Sequence, residues 1–266
     1  MKLKNYIAGQ WIEGSGNEIP LYNAVNGELV AVSDTEGIDF ESALYYGRTV
    51  GYKNLSSMTF YDRGEMLKKV ALYLLERKKK YYELSYKTGA THADSWVDIE
   101  GGFGTFFTYS GLAKRMLPNT PFWVDGDTQK ISANGTFLGT HILTPSEGVS
   151  VQINAYNFPV WGMMEKLSTS LLAGVPSIVK PATPGSYLTN AVFQDMIESG
   201  ILPEGAIQLV CGEPGNILDY VQDGDSVLFT GSANTGRKLK SLPSISKNAV
   251  RFNMEADSLN CSILGL

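Results

Sequence analysis

Val149-Ser150-Val151-Gln152-Ile153-Asn154 is a short apolar run that ends on a polar residue, and it decides how the chain reads. Behind it, Trp161–Gly174 carries apolar residues at helical spacing, and Ser177-Ile178-Val179-Lys180 is a second short apolar run. The rhythm continues downstream. Ser186–Ser199 reads as a helix, Ala206–Val210 as a strand and Asn216–Val221 as a short helix. Val227–Thr230 reads as a strand, Ala233–Leu239 as a helix and Ala249–Asn253 as a strand. Val175-Pro176, Lys180-Pro181 and Leu202-Pro203-Glu204-Gly205 punctuate these elements. Buried strands alternating with helices predict βαβ units and a parallel sheet, an α/β fold with right-handed crossovers. Such sheets bind ligands beyond the carboxyl ends of their strands, so functional residues are expected just after them.

The region upstream has a different rhythm, which divides the chain into residues 1–145 and 146–266. Ile7–Trp11 and Leu29–Val32 are short apolar runs set among Gly9, Gly14, Gly16 and Gly27, and read as strands with turns. Thr59 and Asp62 form an N-cap signal for a helix through Leu67, Val70, Ala71, Leu74 and Leu75. Arg77–Lys80 is expected to close that helix as a solvated basic end. Residues 93–116 read as another helix, with Asp94 and Asp98 on one exposed face and His92 as a loop or cap residue. Asn134-Gly135 predicts the turn of a β-hairpin running from Lys130–Ser132 to Phe137–Leu143.

Composition narrows the function classes. Hydrophobic residues make up 43% and charged residues 18%, enough to bury a core. The net charge of −5 argues against a dedicated nucleic-acid binder and gives no attraction to anionic membranes. The most apolar run, Leu167–Val179, is short of a membrane span and is broken by Ser168, Thr169, Ser170 and Pro176. Met1-Lys2-Leu3-Lys4-Asn5-Tyr6 has no apolar stretch behind its lysines, so no signal peptide is expected. Two cysteines exclude a disulfide framework and fit a cytoplasmic setting. With only His92 and His141 besides, no metal site is expected.

Four strand ends carry groups that suit chemistry. Asn154-Ala155-Tyr156-Asn157-Phe158-Pro159 follows the first strand; an amide there either donates to an oxyanion in a cleft or caps the next helix. Lys180 ends a buried strand, facing a ligand or snorkelling to solvent. Gly231-Ser232 joins a strand to a helix, either offering backbone N–H groups to an anion or serving as a plain strand–turn–helix junction. This turn is no Walker A loop, because Arg237-Lys238 stand where Lys and Ser/Thr are required. Glu255 is expected just after the last strand, as a general base or a plain surface carboxylate.

Taken in order and spacing, these segments resemble the aldehyde dehydrogenase superfamily across essentially the whole chain. The narrower resemblance is to its branch in bifunctional phenylacetate-degradation proteins, which couple a ring-opening hydrolase to a semialdehyde dehydrogenase. It rests on Thr88–Gly102, on Ile153-Asn154-Ala155-Tyr156-Asn157-Phe158-Pro159 and on Met254–Cys261. The resemblance implies a Rossmann-like cofactor-binding sheet with N-terminal helices and a β-hairpin. It implies that Asn157 stabilises an oxyanion and that Glu255 activates water. It also implies that Ile153, Asn154, Lys180, Ala182, Thr183, Gly231 and Ser232 meet the cofactor, with Lys180 on the adenosine ribose. Many NAD-using members carry Glu at the position of Thr183, where a carboxylate would repel a 2′-phosphate; Thr183 therefore predicts NADP over NAD. The implied substrate is a small aldehyde, a CoA-linked semialdehyde oxidised to its acid, and the full-length form is expected to be a cytoplasmic homo-oligomer. The common Glu-Leu-Gly-Gly run is Glu255-Ala256-Asp257-Ser258 here, which matches the narrower branch.

The family nucleophile is a cysteine some tens of residues beyond the general-base Glu, in a separate catalytic domain. Cys261 stands too close to Glu255 and reads, like Cys211, as a small buried hydrophobe. The expectation is an N-terminal portion of the enzyme that binds cofactor but does not oxidise aldehydes alone. The competing expectation is a non-catalytic nucleotide-binding module or an inert remnant.

Overall fold

A computed structural model describes residues 1–257 and 261–265. The chain begins with the antiparallel pairs β1 (Asn5–Ile7) with β2 (Gln10–Ile12), and β3 (Ile19–Tyr22) with β4 (Leu29–Ser33). Helices α1 (Phe40–Tyr46) and α2 (Tyr52–Ser56) flank a π-helical turn. They are followed by α3 (Phe60–Leu75), α4 (Lys78–Ser85) and α5 (His92–Met116). A hairpin of β5 (Trp123–Lys130) and β6 (Leu138–Leu143) stands apart as its own two-stranded sheet. Then come β7 (Ser150–Ile153), α6 (Trp161–Leu172), β8 (Ser177–Lys180), α7 (Ser186–Glu198) and β9 (Ile207–Leu209). The last elements are β10 (Ser226–Gly231), α8 (Ala233–Lys240), α9 (Pro243–Lys247) and β11 (Arg251–Ala256).

One seven-stranded sheet has the order β11-β10-β7-β8-β9-β1-β2. Its five consecutive strands from β11 to β9 are parallel, as the sequence predicts, and the N-terminal hairpin adds two antiparallel strands at the far edge. The central strands β7, β8 and β9 are buried on both faces, whereas the edge strand β11 is largely exposed. Val151, Ile178, Val210 and Val227 pack towards one apolar cluster, and Val179 and Leu209 towards the other, which includes residues of α3, α5, α6 and α7.

The helix starts are written locally. Thr59 with Asp62, and Thr91 with Asp94, form reciprocal capping boxes that open α3 and α5. The α5–α6 crossing needs small residues. A Cβ at Gly102 would lie 3.0 Å from Trp161 Cα, and one at Gly101 would lie 2.3 Å from Trp161 Cζ3. This close approach brings α6 against α5 behind the site.

Several expectations are corrected. Of Arg77–Lys80 only Arg77 closes α3, donating its guanidinium to Tyr73 O (2.9 Å) in the last turn; Lys78 and Lys80 instead lie in the first turn of α4, paired with Glu100 (2.9 Å) and Asp195 (2.6 Å). Those carboxylates offset the cost of cations at a helix N-terminus. Asp98 is not on an exposed face; it is 4% exposed. His92 opens α5 and stacks on Tyr82. The hairpin begins earlier than the turn signal alone indicates, at Trp123. β11 runs on to Ala256, so Glu255 lies within the strand rather than beyond it. Cys211 is buried as expected, but Cys261 is exposed, because the chain has already left the sheet at Asp257. Ser258, Leu259 and Asn260 of the Met254–Cys261 stretch lie outside the described residues.

Candidate active site

From β7 the chain builds outward through β8 to β9, then returns to place β10 and β11 on the other side of β7. The neighbours β7 and β10 therefore mark the topological switch point, where an α/β sheet opens a crevice at its carboxyl edge. A cleft of about 300 Å³ opens there, and its lining includes Asn157, Phe158, Trp161, Lys166, Thr230 and Glu255. Two residues singled out from sequence, Asn157 and Glu255, thus face one space although nearly a hundred positions separate them.

Asn157 lies exposed in the loop between β7 and α6. It does not cap α6. The N-cap position is Val160, which has no capping side chain. Instead Asp98 reaches across from α5 and accepts the Val160 N–H (3.1 Å) and the Trp161 N–H (2.8 Å). Burial raises the Asp98 carboxyl to about 6, against the opposing pull of those two N–H groups. Thr189 secures the same loop by donating its hydroxyl to Pro159 O (3.1 Å). The capping reading of Asn157 is corrected, and the residue lines the cleft.

Glu255 is tied into the floor. It sits opposite Thr230 in the β10–β11 register, and Thr230 Oγ1 donates to Glu255 Oε2 (3.0 Å). Lys166 Nζ donates to the same Thr230 oxygen (2.7 Å). Lys166 is 6% exposed, and burial lowers its ammonium below the ordinary lysine range while Glu255 and Glu165 act in the opposite direction. Sequence reasoning missed Lys166, which lies inside a predicted helix among apolar neighbours. No local signal marks it, because its partner Thr230 lies 64 positions further on.

The remaining predicted positions lie along the carboxyl rim of the sheet, outside the cleft lining. Ile153 ends β7, and Asn154 follows it; Lys180 ends β8, with Ala182 and Thr183 after it; Gly231 ends β10 and Ser232 is the N-cap of α8. Lys180 is 8% exposed, and its ammonium has no hydrogen-bond or ion-pair partner among the described residues. Burial lowers its pKa and the Glu213 carboxylate raises it. Asn154 is also buried, with neither amide atom bonded. These orphaned polar groups fit a polar ligand at the rim. Thr183 Oγ1 donates to Gly212 O (3.2 Å), and Gly231 is small where a Cβ would lie 2.7 Å from the Phe229 ring. Glu213, missed in the sequence, places a carboxylate beside Lys180. Among the described residues no group of three or more His, Cys, Asp or Glu side chains converges as for a metal, and no helix is long and apolar enough to cross a membrane.

The family model for the aldehyde dehydrogenase family matches residues 11–264. The chain belongs to the aldehyde dehydrogenase family. It is 40% identical over its whole length to the 3,4-dehydroadipyl-CoA semialdehyde dehydrogenase of Aromatoleum evansii, and covers 52% of that protein. It is 29% identical to the betaine aldehyde dehydrogenase of Bacillus subtilis, over 97% of this chain and 52% of that one. Among solved structures, the betaine aldehyde dehydrogenase of Staphylococcus aureus superposes with a TM-score of 0.82 at 24% identity, covering 96% of this chain and 49% of that one. The chain thus spans about half the length of the curated relatives it matches. The solved structure supports the fold: a mixed, mostly parallel sheet like the cofactor-binding domain of these enzymes.

Proposed function

We propose that this chain supplies the cofactor-binding and oxyanion-binding parts of an NADP-dependent enzyme that oxidises a CoA-linked semialdehyde to its acid in aromatic, phenylacetate-type catabolism. One observation carries the reading: Asn157 and Glu255 meet in a switch-point cleft, with the unpartnered Lys180 and Asn154 on the same rim. The 40% identity to a CoA-semialdehyde dehydrogenase supports the substrate class.

In this reading residues 146–266 form the nucleotide-binding part, and residues 1–145 buttress it and supply the hairpin for a homo-oligomer. Lys180 binds ribose hydroxyls. Ile153, Asn154 and Ala182 line the nucleotide, and Thr183 leaves room for a 2′-phosphate. Gly231 and Ser232 form the turn nearest the pyrophosphate. When bound, the dinucleotide supplies the hydride acceptor. Asn157 donates its amide N–H to the oxygen of the aldehyde as negative charge develops there. Glu255 takes a proton from the water that releases the acid. Thr230 holds the Glu255 carboxylate towards the cleft, and Lys166 fixes Thr230 in turn. The attacking thiol is neither cysteine of this chain. Burial pushes the Cys211 thiol up to about 12, and Cys261 is exposed outside the cleft lining. The cytoplasm, where thiols stay reduced, suits such chemistry.

The unpartnered Lys180 and Asn154 on the rim fit a second reading as well, a non-catalytic nucleotide-binding module. Both readings require a nucleotide at the rim. The test is calorimetric titration of the purified chain with NADP⁺ and with NAD⁺. The expected result is saturable binding that favours NADP⁺; absence of binding to both overturns the cofactor assignment.

A further inference from the structure

We propose that Asp257 is a built-in occupant of the phosphate seat at the start of α8, which a dinucleotide must displace to bind. The inference rests on reading Gly231 and Ser232 as the pyrophosphate turn.

The opening N–H groups of a helix attract anions, because they lack intrahelical partners and carry the positive end of the dipole. In α8 two of the first three are engaged. Ala233 N–H donates to Asp257 Oδ1 (3.1 Å) and Thr235 N–H to Ser232 Oγ (3.2 Å), while Asn234 N–H has no partner among the described residues. The Ser232 hydroxyl, the other donor at the turn, is spent on Thr235 Oγ1 (3.0 Å). A carboxylate of this chain therefore sits where an incoming diphosphate would place an oxygen.

Asp257 is not a freely swinging surface acid. Its backbone is left-handed (φ +57°), and its own N–H reaches back to Gly231 O (3.3 Å), tying the exit of β11 to the exit of β10. Aspartate tolerates that conformation better than most side chains. Its carboxylate accepts the Ala233 N–H at the helix start. A diphosphate approaching the turn meets a like charge, and departure of that charge frees the Ala233 N–H for a phosphate oxygen. Because the pyrophosphate is common to both dinucleotides, Asp257 lowers affinity for NADP⁺ and NAD⁺ alike, whereas Thr183 separates them.

The test is calorimetric titration of the wild-type chain, Asp257→Asn and Asp257→Gly with both dinucleotides, each protein checked by its thermal unfolding midpoint. Asn removes the charge and keeps an oxygen for Ala233; Gly removes the side chain and accepts the positive φ. Both variants should bind NADP⁺ and NAD⁺ more tightly, by about three- to tenfold, the scale of a charge at a helix terminus plus a like-charge clash. Wild-type binding that both variants match or fall below overturns it while leaving the cofactor assignment standing. No binding to any of the three proteins overturns both.

Discussion

Lys166 and Thr230 meet beneath the switch-point cleft, Nζ to Oγ1 at 2.7 Å, and this bond joins helix α6 to strand β10. The threonine passes the connection on to Glu255, so the carboxylate is oriented by a cation buried two side chains away. Lys166 cannot be read as a snorkelling surface lysine, because it is 6% exposed and bonded inward.

Removing the Thr230 hydroxyl should therefore cost stability. Thr230→Val keeps the shape and strips the partner from a buried ammonium, for about 1–3 kcal/mol. Adding Lys166→Met removes the stranded charge and should recover most of that loss. Urea denaturation of the single and double variants checks both statements, and a Thr230→Val chain as stable as the wild type contradicts them.

Asp98 gives a pH signature. Its folded pKa, raised by burial from 3.8 to about 6, lies above its unfolded value. The folded chain thus binds the extra proton, and the contribution of Asp98 falls as pH rises from about 4 to 6, by about 3 kcal/mol in all. Asp98→Asn retains an oxygen for the Val160 and Trp161 N–H groups and should abolish that fall. Urea midpoints measured between pH 4 and 7 for both proteins are the check; parallel curves would contradict the assignment.

Thr183 predicts cofactor choice. Thr183→Glu places a second carboxylate near Glu213 at the rim and should turn the preference from NADP⁺ to NAD⁺ by about tenfold or more, through repulsion of the 2′-phosphate. Paired titrations with the two dinucleotides decide it. An unchanged ratio would mean that the adenosine lies elsewhere.

The thiols should report their surroundings. Cys261 should react with a thiol reagent in the folded chain, whereas Cys211, buried with its pKa pushed up, should react only after denaturation. The same preparation should turn over no aldehyde. Activity lost in Cys261→Ala would contradict the exclusion of that thiol as nucleophile.

The parallel sheet was legible because its strands are short apolar runs cut by Pro and Gly, and β8 was found at its boundaries, Ser177–Lys180. Strand ends were less legible where polarity misleads. Glu255 reads as a loop carboxylate, yet the β10–β11 ladder carries on past it to Ala256. Ile7–Trp11 reads as one run, yet it spans the turn between β1 and β2, and the attachment of that pair to β9 depends on contacts across some 200 positions, such as Cys211 N–H with Asn5 Oδ1 at 2.7 Å. Asn157, Lys180 and Glu255 stood out as polar groups near strand ends. Lys166, Asp98 and Glu213 did not, because their importance comes from tertiary neighbours: Thr230 for the first, the bare start of α6 for the second, Lys180 for the third.

The central claim, that the carboxyl rim of this sheet holds a nicotinamide dinucleotide through Lys180, is tested most directly by calorimetric titration of NADP⁺ into the wild-type chain and Lys180→Met. Methionine matches the buried stem and removes an ammonium that has no partner in the protein, so the fold should persist. The account predicts saturable binding to the wild type and a loss of about tenfold or more in the variant, which is 1.4 kcal/mol or more. Equal binding by the two proteins, with the fold of both intact, would contradict it.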